Sequence, residues 1–291
     1  MKYVVISPAR NEAEFLPETI RSMIGQAVKP AQWIIVNDGS TDATGEMAAK
    51  AAAEHGWIRV VNAEPGGVSG RGSRAIEAKE IQAFHKGLAK LEVADWEFIV
   101  KLDADVGFGP DYFEKCLREF AADPQLGMVG GKILNKDGDR LVEEPHPAFH
   151  VRGATKMYRR ACWDAIGGIP NSAGWDTIDE VTANMKGWST RTFPGVEMIH
   201  YRWTGAANGS WNNGVKNGLW SYIAGYHPLF FLLRCGKQCL RPPSYAVGSL
   251  ALMSGYVQGW LKGVARANAE VVRYMREQQW NRMVGRPTIW R

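Results

Sequence analysis

The chain predicts an α/β fold: a Rossmann-like, mostly parallel sheet with helices on both faces and a helical appendage at the C-terminus. Two observations lead there. Short β-branched runs alternate with helical patterns through the first 135 residues, which implies right-handed parallel crossovers. Composition is ordinary for a globular chain, with 291 residues, 45% hydrophobic and 22% charged. That excludes disordered, collagen-like and coiled-coil classes.

The elements follow in order. Tyr3-Val4-Val5-Ile6-Ser7 is a buried strand, followed by a helix over 17–26. Trp33-Ile34-Ile35-Val36-Asn37 is a second strand. Asp38-Gly39-Ser40-Thr41-Asp42 is a turn, in which Thr41 or Asp42 caps an Ala-rich helix running to His55. Strands over 57–61 and 96–102 flank a helix over 75–91. Beyond Gly130 the pattern changes to short strands at 132–134 and 192–199, with a helix after Trp175. Residues 1–215 are expected to form one domain, in halves 1–135 and 136–215, followed by a basic amphipathic helical region, 216–291.

Charge is unevenly placed. The 35 basic and 30 acidic residues leave a net +5. Residues 234–291 hold ten Lys or Arg against two Asp or Glu, a net +8, so the first 233 carry −3. A basic tail on a near-neutral body points to an anionic membrane surface; no nucleic-acid partner is expected. Neither 218–233 nor 242–261 contains an ionic residue. The second has the length to cross a bilayer, but its Gly, Ser and Gln favour lying in the interface or packing on the core. The N-terminal apolar run is too short for a signal peptide, and four cysteines match no zinc or disulfide pattern. Reduced thiols in a cytoplasmic protein, peripheral on the inner face of the membrane, are the expectation; homo-oligomerisation is left open.

The chemistry concentrates at strand ends, where such sheets bind ligands. Lys101-Leu102-Asp103-Ala104-Asp105 sets two carboxylates directly after a buried strand. Facing one crevice, they repel unless a cation lies between them. Mn²⁺ or Mg²⁺ with a diphosphate suits that place. Pro8-Ala9-Arg10-Asn11-Glu12 and Asp38-Gly39 end the first two strands. Asp38 can accept a hydrogen bond from a base N–H, and Gly39 allows close backbone approach. Gly70-Arg71-Gly72-Ser73-Arg74-Ala75 mimics a dinucleotide fingerprint but follows the third strand rather than the first. It reads as a basic loop from which Arg71 or Arg74 can approach phosphates.

Together, Ser-Pro-Ala-Arg-Asn-Glu, Val-Asn-Asp-Gly-Ser-Thr-Asp and Leu-Asp-Ala-Asp resemble the GT-A-fold glycosyltransferases of family 2 over roughly residues 1–200. The resemblance implies inverting transfer from a nucleotide-diphospho-sugar, with a lean to uridine. It implies a nucleoside pocket lined by Pro8, Ala9, Arg10, Glu12, Asp38 and Gly39. Asp103, Ala104 and Asp105 hold nucleotide and metal, and His200 joins the metal. Arg152-Gly153-Ala154 looks like the segment beneath the donor sugar. Where the family has a Glu-Asp pair whose Asp is the base, this chain reads Trp175-Asp176, with Asp179 and Glu180 one turn on. Asp176 at the helix N-cap is the expected base, Asp179 the second candidate, and Trp175 and Glu180 are expected at the sugars. Gly205 and Gly209 suggest a loop closing over the site. The basic tail and uncharged stretches suit a glycan or polyprenyl-linked acceptor. The alternatives are a sugar-nucleotide synthesising enzyme, although its Gly-rich signature is missing after the first strand, and an inactive nucleotide-binding relative.

Overall fold

The first strands bury both faces, so their side chains divide by alternation. Along β1 (Tyr3–Ala9), Tyr3 and Val5 enter one apolar cluster while Val4 and Ile6 enter another. β2 (Gln32–Asn37), β3 (Ile58–Asn62) and β4 (Phe98–Leu102) run parallel to β1. The first cluster is covered by α1 (Leu16–Ile24) and α2 (Thr44–Glu54). The second is covered by α3 (Lys79–Leu88). The computed structural model describes residues 1–63, 78–144, 146–202, 210–240 and 245–290.

Beyond β4 the chain adds β5 (Val106–Phe108), α4 (Tyr112–Ala122), β6 (Leu126–Asp137), β7 (Arg140–Glu143) and β8 (Thr155–Arg159). It continues through α5 (Arg160–Ile166), α6 (Trp175–Met185) and β9 (Ser189–His200). The nine-stranded sheet has the order β3-β2-β1-β4-β8-β6-β9-β5, with β7 paired to β6. β8 is antiparallel to β4 and β6, and β5 is antiparallel to β9. The sheet is therefore mixed, but its first four strands are parallel, as the alternation predicts. The short strands expected near 133 and 195 are parts of β6 and β9, which pair in parallel through two register shifts. Gly127, Gly130 and Gly131 interrupt the apolar run, which shortened its sequence signal.

Among the described residues four helices follow: α7 (Ser210–Ile223), α8 (Pro228–Cys239), α9 (Tyr245–Leu261) and α10 (Ala269–Met283). α7 runs through position 215, where the catalytic domain was expected to end. Tyr222, Ile223, Val271, Met275 and Trp290 share an apolar cluster with Ile178 and Val181 of α6. The C-terminal helices thus close over α6 and the site beside it. α7 and α9 cross very closely: a Cβ on Gly218 would lie 1.9 Å from the Leu252 carbonyl, and one on Gly255 1.9 Å from that of Val215. Among the described residues no helix is long and apolar enough to cross a membrane.

Candidate active site

Strand register assembles the acids. The Asp103 N–H donates to the Ala154 carbonyl at 2.8 Å, extending the β4–β8 ladder and bringing the 152–154 segment alongside Asp103. β5 pairs Val106 with His200. His200 Nε2 consequently lies 3.3 Å from the Asp105 carboxylate. One ligand atom from each of Asp103, Asp105 and His200 falls within a 4.8 Å cluster. Two carboxylate oxygens and one imidazole nitrogen make a donor set suited to Mn²⁺ or Mg²⁺. Burial pushes the Asp103 carboxyl up to about 6, with Glu80 and Asp105 adding to the rise and Lys101 opposing it. Burial also works against charge on Asp105, but the His200 hydrogen bond and nearby cations hold it below its ordinary range. Carboxylates packed this closely fit a site that receives a cation.

The loops after β1 and β2 are laced together. The Asn11 N–H donates to Ser40 Oγ at 3.0 Å, and Asn11 Oδ1 accepts from the Thr41 N–H at 2.8 Å. Asn11 reaches this geometry at φ +54, which Asn tolerates better than most residues. Gly39 beside it has φ +67, where glycine is unstrained. Asp38 is held 3.3 Å from Lys86 Nζ. Pro8 is half-buried, Ala9 and Ala104 are buried, and Arg10 is exposed. Glu12 takes a 2.5 Å hydrogen bond from Arg202, which also lies 3.9 Å from Asp105. Burial and the Asp105 charge lift the Glu12 carboxyl to about 7, against the pull of Arg202. Arg71, Arg74, Gly205 and Gly209 lie outside the described residues.

A cavity of about 1160 Å³ runs from these acids to the C-terminal helices. Asp103, Arg152, Gly153, Trp175, Asp176, Glu180 and His200 all line it. Gly153 is required by packing, since a Cβ there would meet the Trp175 ring at 2.8 Å. Trp175 in turn donates its indole N–H to Glu80 at 3.0 Å and is faced by Lys101 and Lys156 at 5.1 and 5.3 Å from its ring. Arg152 pairs with Glu144 at 2.8 Å.

The three acids of α6 divide. Gly174, at φ +74, is the N-cap, so Asp176 lies inside the first turn rather than at the cap expected for it. Its side chain is half-buried and faces the cavity. Burial raises its carboxyl pKa, but His150, Lys156, Arg152 and Lys101 together pull it below the usual carboxylate range. Asp179 is turned inward: its side chain is fully buried, 2.8 Å from Lys156 Nζ, and accepts from Tyr158 at 2.5 Å. Both of its oxygens are engaged by Lys156 and Tyr158, and, unlike Asp176, it is not among the residues that line the cavity. Glu180 is fully enclosed, accepting from the Val151 N–H at 3.0 Å and lying 2.5 Å from His150 Nδ1. It braces the cavity wall, a constraint on its expected contact with sugar.

A model of glycosyl transferase family 2 matches residues 4–174, more than half the chain. The chain belongs to that family. A chondroitin synthase of Pasteurella multocida is 31% identical over 136 residues, covering 46% of this chain and 12% of the synthase. The chain therefore corresponds to a small part of that relative. The mannosyltransferase PcManGT from Pyrobaculum calidifontis, solved with GDP-Man and Mn²⁺, superposes with a TM-score of 0.56 at 16% identity. That match covers 99% of this chain and 76% of PcManGT. TarS 1–349 of S. aureus, solved with UDP-GlcNAc, gives 0.55 at 15% identity over 98% and 80% of the two chains. The fold of this family 2 chain is GT-A-like.

Several contributors to this family 2 site escaped the sequence reading. Lys101 was visible as the one charge inside the apolar part of a buried strand, and Lys156 as a charge between Thr155 and Met157. Both prove fully or almost fully buried. Glu80, Lys86, His150 and Arg202 carry no local signal, since only tertiary pairing brings them to the site.

Proposed function

We propose that this family 2 glycosyltransferase is an inverting, metal-dependent enzyme that moves a sugar from a nucleotide-diphospho-sugar, UDP-linked, to an acceptor hydroxyl. The acceptor is a lipid-linked glycan in cell-surface polysaccharide synthesis. The observation that carries this reading is Asp176: an ionised carboxylate facing the same cavity as the Asp103–His200 cluster. Asp176 accepts the acceptor's proton as its oxygen attacks the anomeric carbon opposite the diphosphate. Lys101, Lys156, Arg152 and His150 keep Asp176 charged. Trp175 and Gly153 form the floor beneath the donor sugar. Asp38 accepts from the base N–H, while Pro8, Ala9, Arg10, Glu12 and Gly39 frame the nucleoside. Asp103, Asp105 and His200 would hold Mn²⁺ or Mg²⁺. The chemistry that ion supplies is Lewis-acid neutralisation of charge on the departing diphosphate. The Mn²⁺ and UDP-GlcNAc of the solved relatives support the cofactor and donor class.

The enzyme works against the cytoplasmic leaflet. Exposed Leu232, Val247, Leu250, Trp260 and Leu261 lie on α8 and α9, and no Asp or Glu occurs anywhere from 198 to 269. An apolar surface free of acids is complementary to an anionic bilayer.

Thermal shift against a panel of UDP-, GDP-, dTDP- and CMP-sugars tests the donor class. A ligand at 100 times its Kd stabilises by about 2.7 kcal/mol. UDP-sugars with Mn²⁺ should raise Tm, and EDTA should reverse most of the rise. A response to another nucleotide alone would overturn the uridine assignment, and no response to any would overturn the donor reading.

A further inference from the structure

The cations around the acids of the catalytic half are engaged with those acids. Lys101 pairs with Asp103 and Glu80, Lys156 with Asp179, Arg152 with Glu144, and Arg202 with Glu12. The part of the same cavity lined by the C-terminal helices is different. Its wall includes Arg234 and Lys237 from α8 and Arg282 from α10, and among the described residues none of the three forms an ion pair. These cations converge from two helices on the cavity that contains Asp176. Arg234 is further oriented by a 3.2 Å hydrogen bond to Ser221 Oγ and by the Tyr226 ring, 5.5 Å from its guanidinium.

Periodicity on α8 explains the placement. Phe230, Leu233, Arg234, Lys237 and Gln238, at i, i+3, i+4, i+7 and i+8, all line the cavity. Phe231 and Cys235 are buried in a cluster with Leu252 of α9. Leu229, Leu232 and Leu240 are exposed. One helix therefore offers cations to the cavity and leucines to the outside. Beside the cations stand Trp220, Phe230 and Trp290, rings that suit a sugar face or a prenyl chain.

We infer that this part of the cavity is an acceptor subsite that reads a phosphate or diphosphate group through Arg234, Lys237 and Arg282. The inference rests on Asp176 being the base, because it sets the acceptor hydroxyl at Asp176 and leaves the acceptor's anionic group to the cations on the wall formed by the C-terminal helices. Guanidinium and ammonium groups suit phosphate oxygens, and all three are exposed and so open to an entering anion. A phosphate on a prenyl lipid and a phosphate on a soluble sugar share this chemistry.

The test follows tryptophan fluorescence of the full chain titrated in EDTA, which removes metal-dependent binding at the donor site. The probes are farnesyl diphosphate, inorganic diphosphate and farnesol. Farnesyl diphosphate should bind, and the Arg234→Gln/Lys237→Gln/Arg282→Gln variant should bind it at least about tenfold more weakly, given the strength of charge-assisted contacts. Tm and Mn²⁺-dependent UDP binding should stay at wild-type values. Much tighter binding of farnesyl diphosphate than of inorganic diphosphate assigns the phosphate to a lipid; equal binding assigns it to a soluble acceptor. Absence of binding, unchanged affinity in the variant, or farnesol matching farnesyl diphosphate would overturn the subsite. UDP binding measured on the same proteins with Mn²⁺ in place of EDTA reports the donor reading separately: if UDP then fails to bind wild type while farnesyl diphosphate binds in EDTA, the donor reading falls and the anion site stands.

Discussion

Lys156 gives the two aspartates of α6 different work. Its ammonium holds the Asp179 carboxylate at 2.8 Å and the Asp176 carbonyl at 2.7 Å, leaving only the Asp176 side chain towards the cavity. Asp179→Ala should therefore destabilise the fold by about 3–5 kcal/mol, because it strips the nearest carboxylate from a buried ammonium and leaves Glu180 at 3.7 Å. Chemical denaturation checks this, and a variant as stable as wild type would remove Asp179 from its structural role. A proton effect is expected at Asp103. Its carboxyl, lifted to about 6 chiefly by burial, must be deprotonated to ligate a cation. Mn²⁺ affinity should accordingly fall as pH drops below about 6, by up to tenfold per pH unit, and level off above it. Calorimetric Mn²⁺ titrations from pH 5 to 8 check the sign; affinity flat across that range would show that Asp103 is not a ligand. At this scale the acids of the site were legible, because Asp103, Asp105 and Asp176 end or begin elements. Their partners were not, since Glu80, Arg202 and His150 reach the site only through the fold.

The α7–α9 pair packs backbone to backbone, through Gly214 and Gly218 on one helix and Gly255 and Gly259 on the other. Gly255→Ala would drive a methyl group into the Val215 carbonyl, forcing the helices apart at a cost of about 1–3 kcal/mol or more. Gly236→Ala on α8 meets nothing within 4 Å, so it should be neutral or stabilise by up to about 1 kcal/mol through helix propensity. Thermal melts of the two variants should move in opposite directions or leave only Gly236→Ala unchanged; equal losses would contradict the close crossing. The parallel strands β1, β2 and β4 were legible because both of their faces are buried and their apolar runs are nearly continuous. β6 and β9 were seen only in fragments: Gly130 and Gly131 break one pattern, and Pro194 and Gly195 interrupt the other. The cap of α6 was misplaced because Asp176 looks like a capping residue, whereas the left-handed backbone of Gly174 turns the chain into the helix.

The C-terminal helices belong to the catalytic body as much as to any surface it meets. Trp290 packs on Phe149 at 4.8 Å and Phe230 at 5.7 Å between ring centroids, so cutting the tail would open the cavity itself. The membrane reading is better tested by point changes on the exposed face. Wild type should co-sediment with vesicles containing phosphatidylglycerol, and less so at high salt. Leu232→Gln/Leu250→Gln/Trp260→Gln should lose most of this binding while keeping its melting temperature; equal binding by the variant would move the interface elsewhere. Sequence showed the asymmetry of charge and the two uncharged stretches, but not that α8 divides its faces between the cavity and the exterior. The central claim, base catalysis from Asp176 in a nucleotide-sugar transferase, is tested most directly by UDP release under saturating UDP-sugar and Mn²⁺. Asp176→Asn, nearly isosteric but unable to take the proton, should lower kcat by on the order of 10²–10⁴ while donor affinity stays at the wild-type value; wild-type turnover by Asp176→Asn would contradict the account.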